Sequence, residues 1–370
     1  MFLAKSQTFV SASVFALAIA SIPAAALAQE AAPQQGGLED IVVPARKRAE
    51  SVQDIPVAVT AISAETIAKQ DLTSLEKVAA RTPNFQVGRA SNGSGAQLTL
   101  RGIGSASTSI GIEQSVAVVV DGVYYAQGRI IQEGFFDLQR MELLKGPQAL
   151  FFGKNATAGV ISLTTADPGD EVELKGKVSY EFKSQQAQIE AIGSTPLSDK
   201  VGLRIALRGS KMWGGLWKNE SVDRTYTTVD IQDILAGNDL TPVGHLAVPA
   251  AKEAPGEKEM LGRITLKFTP TDRLTATLKA SYDYNSVNNS SWNYSAYNCD
   301  GGTSHLTEYA CKGDFITHQN GIPTDIAGDF PYSKSDGQLY NRYRSWAVTG
   351  NINYELDDVT ITSVTNFNTN

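Results

Sequence analysis

From residue 171 to the end, the chain repeats a period of two, strand after strand. In residues 274–284, Leu274, Ala276, Leu278, Ala280, Tyr282 and Tyr284 alternate with Thr275, Thr277, Lys279, Ser281 and Asp283. Successive side chains of a strand point to opposite faces, so this segment predicts a ribbon with one apolar and one polar face. The same pattern runs through residues 172–182, 201–209, 264–268 and 346–356, and less regularly through 187–193 and 359–367, seven segments in all. Such a sheet must cover its apolar face, with a second sheet in a soluble sandwich or with lipid in a membrane barrel. The connections favour the barrel. Short turns at 196–200, 270–273 and Asp357-Asp358 alternate with long loops at 214–259 and 286–341, as the two rims of an outer-membrane barrel require. Tyr180, Phe182, Tyr282, Tyr284, Trp346 and Tyr354 fall towards strand ends, where an aromatic girdle sits.

The chain's beginning agrees with export. Lys5, an apolar run from Val10 to Ile22 and the small-residue site Ala26-Leu27-Ala28 read as a secretory signal peptide over 1–28. A transmembrane anchor is the weaker alternative, because Ser13, Ser21 and Pro23 interrupt the run. With a net charge of −7 and one short basic cluster, Arg46-Lys47-Arg48, nucleic acid is excluded as a partner. The two cysteines, Cys299 and Cys311, pair most simply in an oxidising compartment, free thiols being the alternative. His245, His305 and His318 lie in the long loops without metal-site spacing. No nucleophile elbow or zinc-helix motif is present. The expectation is a non-enzyme without cofactor or metal.

Between these regions lie a polar tether, 29–50, and a domain-sized α+β unit, 51–165. The unit reads as a strand at 55–62, a helix at 64–70 capped by Ser63, and a second helix opened by the capping box Thr73-Ser74-Leu75-Glu76. Strands follow at 97–101, 116–120, 141–144 and 160–164, with a turn at Asp121-Gly122. The loop GPQALFFGKNATAG, 146–159, carries a Gly-Lys pair, but six residues separate its first glycine from that pair and Asn155 follows the lysine. A phosphate-binding loop needs four residues and a Ser or Thr, so the reading is a structural turn. In the tether, Ile41-Val42-Val43 is a short β-prone run suited to adding a strand to another protein's sheet edge, an ordinary first strand being the alternative.

These residues resemble the TonB-dependent outer-membrane receptors over nearly the whole chain after residue 28. Glu39, Asp40, Ile41, Val42, Val43 and Pro44 look like a TonB box, with Pro44 where such boxes commonly carry Thr. LTLRGIG at 98–104, VVVDGVY at 118–124 and FDLQRMELLKGPQALFFGKNATAGVISL at 136–163 are similar to the family's plug motifs. The implied fold is an N-terminal α+β plug domain followed by antiparallel transmembrane β-barrel strands over 166–370, seven of an expected ~22. The chain is accordingly read as the N-terminal part of a longer barrel. The implied activity is energised uptake of a ligand, a ferric siderophore in the typical case, with the plug rearranged by TonB. The implied partners are TonB with its inner-membrane complex, an iron chelate and outer-membrane lipid. A passive channel or adhesin-like barrel, or a TonB-dependent importer of a saccharide, is the alternative.

Site expectations follow. Arg101, Arg140, Glu142 and Lys145 flank the plug turns and, by the resemblance, fix the plug in the barrel. In the loop 286–341, Trp292, Tyr294, Tyr297 and Tyr309 offer aromatic faces among Asn and Ser for a ligand, generic loop aromatics being the alternative.

Overall fold

The structure is a computed structural model. It describes residues 42–43, 50–51, 57–89, 96–105, 114–125, 136–229, 231–238, 241–288, 299–303, 309–330, 333–334 and 336–369, all within one compact unit, Ile41–Asn370. The predicted signal peptide, Glu39, Asp40, Ile41, Pro44, Trp292, Tyr294 and Tyr297 lie outside the described residues.

Two short strands open the chain, β1 (Val42–Val43) and β2 (Glu50–Ser51), paired antiparallel. The α+β domain begins with β3 (Ala58–Ser63), α1 (Ala64–Lys69) and α2 (Leu75–Ala79). Ser63 caps α1 by accepting from the Thr66 amide. The second cap is Ser74, which accepts from the Lys77 amide at 3.3 Å, one residue later than the predicted box. Thr73 is diverted, its hydroxyl accepting from Lys77 Nζ at 2.8 Å.

Next come β4 (Phe85–Arg89), β5 (Ala96–Leu100), β6 (Ile103–Gly104), β7 (Val116–Val120), β8 (Val123–Tyr125), β9 (Leu138–Lys145), α3 (Ala149–Phe152) and β10 (Gly159–Thr165). The central sheet runs β3-β9-β10-β7-β8, with β10 and β7 parallel. The unbroken apolar run of β7 is explained by this placement, since the sheet is buried on both faces. Val116, Val118, Met141, Leu143 and Ile161 pack with Leu75 and Val78 on one face. Ala117, Val119, Leu144 and Val160 pack on the other. Gly159 is required where β10 passes β9, because a Cβ there would collide with the Leu144 carbonyl and the Leu100 side chain.

The loop 146–159 folds back on itself. Gly146 N donates to Ala158 O at 3.0 Å and Gln148 N to Ala156 O at 2.7 Å, while the Phe151, Phe152 and Gly153 amides bond within the α3 turn. Its amides therefore close the turn instead of ringing a phosphate.

The remaining residues build a seven-stranded antiparallel sheet. Its strands are β11 (Glu173–Glu181), β12 (Gln186–Ser198) and β13 (Val201–Met212). A long connection holds β14 (Trp217–Asn219), β15 (Arg224–Thr228), α4 (Ile231–Ala236), β16 (Val243–Ala247) and β17 (Glu253–Ala254). Strands β18 (Gly256–Thr271) and β19 (Leu274–Asn288) follow, then a connection bearing β20 (Ile316–Thr317), then β21 (Tyr340–Glu355) and β22 (Thr360–Thr369). The order is β11-β12-β13-β18-β19-β21-β22, the seven strands of the sequence reading, and the sheet does not close on itself. The strands run to 16 residues, longer than the alternation alone marks, because pairing continues through polar rim positions such as Lys258, Asn285 and Arg342.

The two faces differ as the alternation predicts. Leu174, Val178, Phe182, Ile189, Leu207, Met260, Leu278 and Ile352 point outward and are exposed, Leu174 by 87%. The inward residues that lie against the α+β domain are mostly polar, with Ile192, Ala206 and Leu261 as an apolar patch among them. No described helix is long and apolar enough to cross a membrane; an apolar outer face on long antiparallel strands is the alternative way to meet lipid.

Candidate functional site: the plug–wall seam and the outer loops

One row of the sheet carries most of the contact with the α+β domain. Glu173, Ser194, Arg204, Thr265, Lys279, Thr349 and Asn366 stand directly opposite one another across the seven strands. Five of them, Ser194, Arg204, Thr265, Lys279 and Thr349, are buried polar residues. Buried charges persist only when paired, and the partners come from the α+β domain, from the connection that follows it and, for Arg204, also from β11.

Arg204 meets Asp137, with Nε 2.9 Å from Oδ2 and Nη2 2.5 Å from Oδ1, both side chains buried. Its remaining edge reaches Glu173 of its own sheet at 2.5 Å. Lys279 is clamped by three elements at once: Asp167 Oδ1 at 2.9 Å, Asp121 Oδ1 at 3.3 Å and Thr165 Oγ1 at 2.7 Å. Asp121 also accepts from the Thr165 amide and hydroxyl, at 2.9 and 2.7 Å, so one carboxylate ties the β7–β8 turn both to β10 and to the wall.

That turn requires its glycine. Asp121 and Gly122 have φ of 49° and 84°, and a Cβ at Gly122 would lie 3.2 Å from Val364 of β22. Asn351 Nδ2 donates to the Asp121 carbonyl at 3.4 Å. One row up, Phe136 packs on Ile192, Ala206 and Leu261, with the Arg263 and Arg208 guanidinium groups 4.7 and 5.5 Å from its ring centre. A third tie is more exposed: Asp71, between α1 and α2, bonds Lys177 of β11 at 2.5 Å and Lys77 at 2.6 Å. Burial works to raise the Asp71 pKa, but the hydrogen bonds and charges of Lys177 and Lys77 outweigh it and hold it below the usual range.

Two cavities flank the seam. The larger, 810 Å³, lies between α1, the 166–173 connection and β11–β13. The other, 630 Å³, lies between the β7–β8 turn and β19–β22 and is lined by Thr275, Thr277, Asn351, Asn353 and Thr362.

The residues singled out in the sequence are placed differently. Arg140 and Glu142 pair with each other within β9, Nε to Oε1 at 2.9 Å. Glu142 is wholly buried and its Oε2 has no hydrogen-bond partner; burial pushes its pKa up, against the lowering effect of Arg140. Arg101 is exposed at the β5–β6 turn, and Lys145 is half-buried, opposite Gly159 and Ala58. Among the described residues, the ion pairs that cross the seam are made instead by Asp71, Asp121, Asp137 and Asp167. The signal that could have found their partners is a lysine or arginine at the centre of an alternating strand, as at Lys279 and Arg204.

At the other end, the two long connections interlock. β14 pairs with β17 and, in parallel, with β20 of the second connection. Asn219 Nδ2 donates to the Ala250 and Gln319 carbonyls at 2.9 and 2.8 Å. His245, buried on β16, bonds Asp325 through Nδ1 at 2.6 Å and Thr228 through Nε2 at 2.7 Å. Its hydrogen bond holds the Asp325 carboxyl below the usual range. Tyr309 stacks on His318 with centroids 3.6 Å apart and lies under Arg224. Cys299 and Cys311 form a disulfide, Cα atoms 5.7 Å apart.

Comparison with known proteins agrees with this arrangement. Residues 51–160 match the model of the TonB-dependent Receptor Plug Domain. The chain is 30% identical over 147 residues to the pesticin receptor of Yersinia enterocolitica, which covers 40% of this chain and 21% of that protein. It is 25% identical over 235 residues to the ferric enterobactin receptor of Pseudomonas aeruginosa, covering 58% of this chain and 30% of that one. Among solved structures, the ferric yersiniabactin uptake receptor FyuA of Yersinia pestis superposes with a TM-score of 0.58 at 19% identity, over 84% of this chain and 40% of that one. The chain thus spans between a fifth and a third of the length of these curated relatives. An α+β domain matching the plug model, bolted to the polar face of a sheet whose other face is apolar, is what this chain shares with the TonB-dependent receptors.

Proposed function

We propose that this chain serves TonB-driven uptake of a scarce external ligand, a ferric siderophore, across the bacterial outer membrane. The observation that carries the reading is the seam: a folded domain held on the polar face of a lipid-suited sheet by a few ion pairs is a stopper that can be moved. The names of two relatives, receptors for ferric enterobactin and for hemin, supply the iron. Export through a cleaved signal peptide over 1–28 completes the route to the membrane.

TonB engages the segment Glu39–Pro44, of which Val42–Val43 forms a two-residue strand against Glu50–Ser51. So short a pairing is easily exchanged for a longer one with a partner's sheet edge, where main-chain hydrogen bonds supply the affinity. Pro44 lacks an amide donor and ends that pairing. The outer loops, with Tyr309 and the loop carrying Trp292, Tyr294 and Tyr297, receive the ligand. Arg101, Arg140, Glu142 and Lys145 keep the plug's own turns in shape for docking.

The test is accumulation of a panel of ⁵⁵Fe-labelled siderophores by cells producing the receptor, with and without a proton uncoupler. Uptake that stops with uncoupler, and that Val43→Pro abolishes equally, is the expected result. Entry that continues without the gradient would identify a passive channel and overturn the reading.

A further inference from the structure

We propose that Arg204 and Lys279 form an anion-binding track on the wall, that the plug's aspartates occupy it in place of a ligand, and that the solute passed along this wall is an anionic chelate. The proposal names the ligand class for the uptake reading above and rests on it for the plug's movement.

The strands of the wall give Lys279 no carboxylate of their own and pair Arg204 on one edge only. Directly opposite Lys279 stand Thr265 and Thr349, and the next inward residues on its own strand are Thr277 and Ser281. The carboxylates bonded to Lys279 are Asp121, from the β7–β8 turn of the plug, and Asp167, from the 166–173 connection between plug and sheet. Arg204 keeps Glu173 on one edge, but Asp137 fills its Nε–Nη2 fork. That planar fork is the geometry that recognises a carboxylate or phosphate in two-point fashion. Both side chains are more than nine-tenths buried, so each aspartate oxygen stands where a ligand oxygen would.

Energetics then select the solute. Withdrawing the plug takes Asp121 from Lys279 and opens the Nε–Nη2 edge of Arg204, which keeps Glu173, so both cations are free to take another anion. A neutral solute offers Lys279 hydroxyls and no charge. An anionic solute exchanges one carboxylate for another, and the wall is never left bare. Arg204 and Lys279 lie in one row, two strands apart, which at ordinary strand spacing is roughly 10 Å, so an anion with two acidic groups at about that separation meets both.

The experiment uses the 370-residue chain refolded in detergent, with citrate as the probe. In the unaltered protein, citrate should raise hydrogen exchange at least tenfold in the β7–β8 turn and in β10, compared with sodium chloride at equal ionic strength. Calorimetry should show the Asp137→Asn/Asp167→Asn variant binding citrate at least tenfold more tightly than the unaltered protein, and Lys279→Gln added to it should abolish that gain. Citrate that acts no differently from chloride, or a gain that survives Lys279→Gln, would overturn the proposal. Should the double variant fail to fold, the exchange measurement decides alone. Neither assay involves uptake: citrate binding without gradient-dependent accumulation sinks the uptake reading and keeps the track, whereas gradient-dependent accumulation with both citrate assays negative sinks the track alone.

Discussion

Glu142 shows how burial sets the behaviour of one side chain. Its folded-state pKa is raised, so the folded plug prefers the protonated acid, and stability is lost as pH rises from the unfolded value, about 4.3, through the folded one. Glu142→Gln should therefore raise the melting temperature at pH 7, with the gain shrinking towards zero below about pH 4; an unchanged melting temperature at pH 7 would contradict the burial account. Asp71 has the opposite sign. Its pKa is depressed, so the tie to Lys177 is present at neutral pH and lost as pH falls through that lowered value. Lys279 is the residue on which the β7–β8 turn, β10 and the 166–173 connection converge. Lys279→Met should cost about 3–5 kcal/mol in plug docking, because it strands Asp121 and Asp167 without their cation, and chemical denaturation followed by a plug-specific probe would measure it.

At the scale of elements, the β7–β8 turn and the joined outer loops make separate demands. Gly122→Ala places a side chain at φ 84° and within 3.2 Å of Val364, so it should destabilise docking by more than 1 kcal/mol; full retention of protease resistance at the seam would refute this. In the outer loops, His245 joins β15, β16 and Asp325. The junction joins the ring to Asp325 through Nδ1 and to the Thr228 hydroxyl through Nε2. It loosens only when Asp325 takes a proton, and that carboxyl is held low. Proteolytic protection of both loops should hold from pH 8 to about pH 4, and His245→Ala should remove it at every pH. The helix caps were legible one residue at a time: Ser63 was read directly, whereas Ser74 displaced Thr73 because Lys77 recruits the Thr73 hydroxyl, a contact no local pattern encodes.

For the whole molecule, the apolar outer face is the feature to challenge. Leu278 stands outward and half-exposed at the middle of the sheet. Leu278→Arg should cost about 2–4 kcal/mol in a lipid environment if its depth is near the midplane, while Thr277→Ser, one residue away on the inner face, should be nearly neutral. Equal effects in refolding into vesicles would argue against lipid contact. The sheet also leaves β11 and β22 as its edges, and edge strands in hydrocarbon require pairing.

The sequence by itself determined the seven strands, their two faces and the plug's glycine-bearing turns, because strand periodicity and positive-φ turns are local requirements that a few residues satisfy. It did not determine which charges hold the plug. Arg101, Arg140, Glu142 and Lys145 were conspicuous because they sit in plug-like motifs, yet Arg140 and Glu142 pair with each other within β9, with Glu142 Oε2 left without a partner. The crossing pairs, Asp121 and Asp167 with Lys279 and Asp137 with Arg204, join residues 67 to 158 positions apart. Only the tertiary structure brings them together, because register across the sheet fixes which inward side chains share a row, and the docked plug fixes which of them lose water and must find a partner.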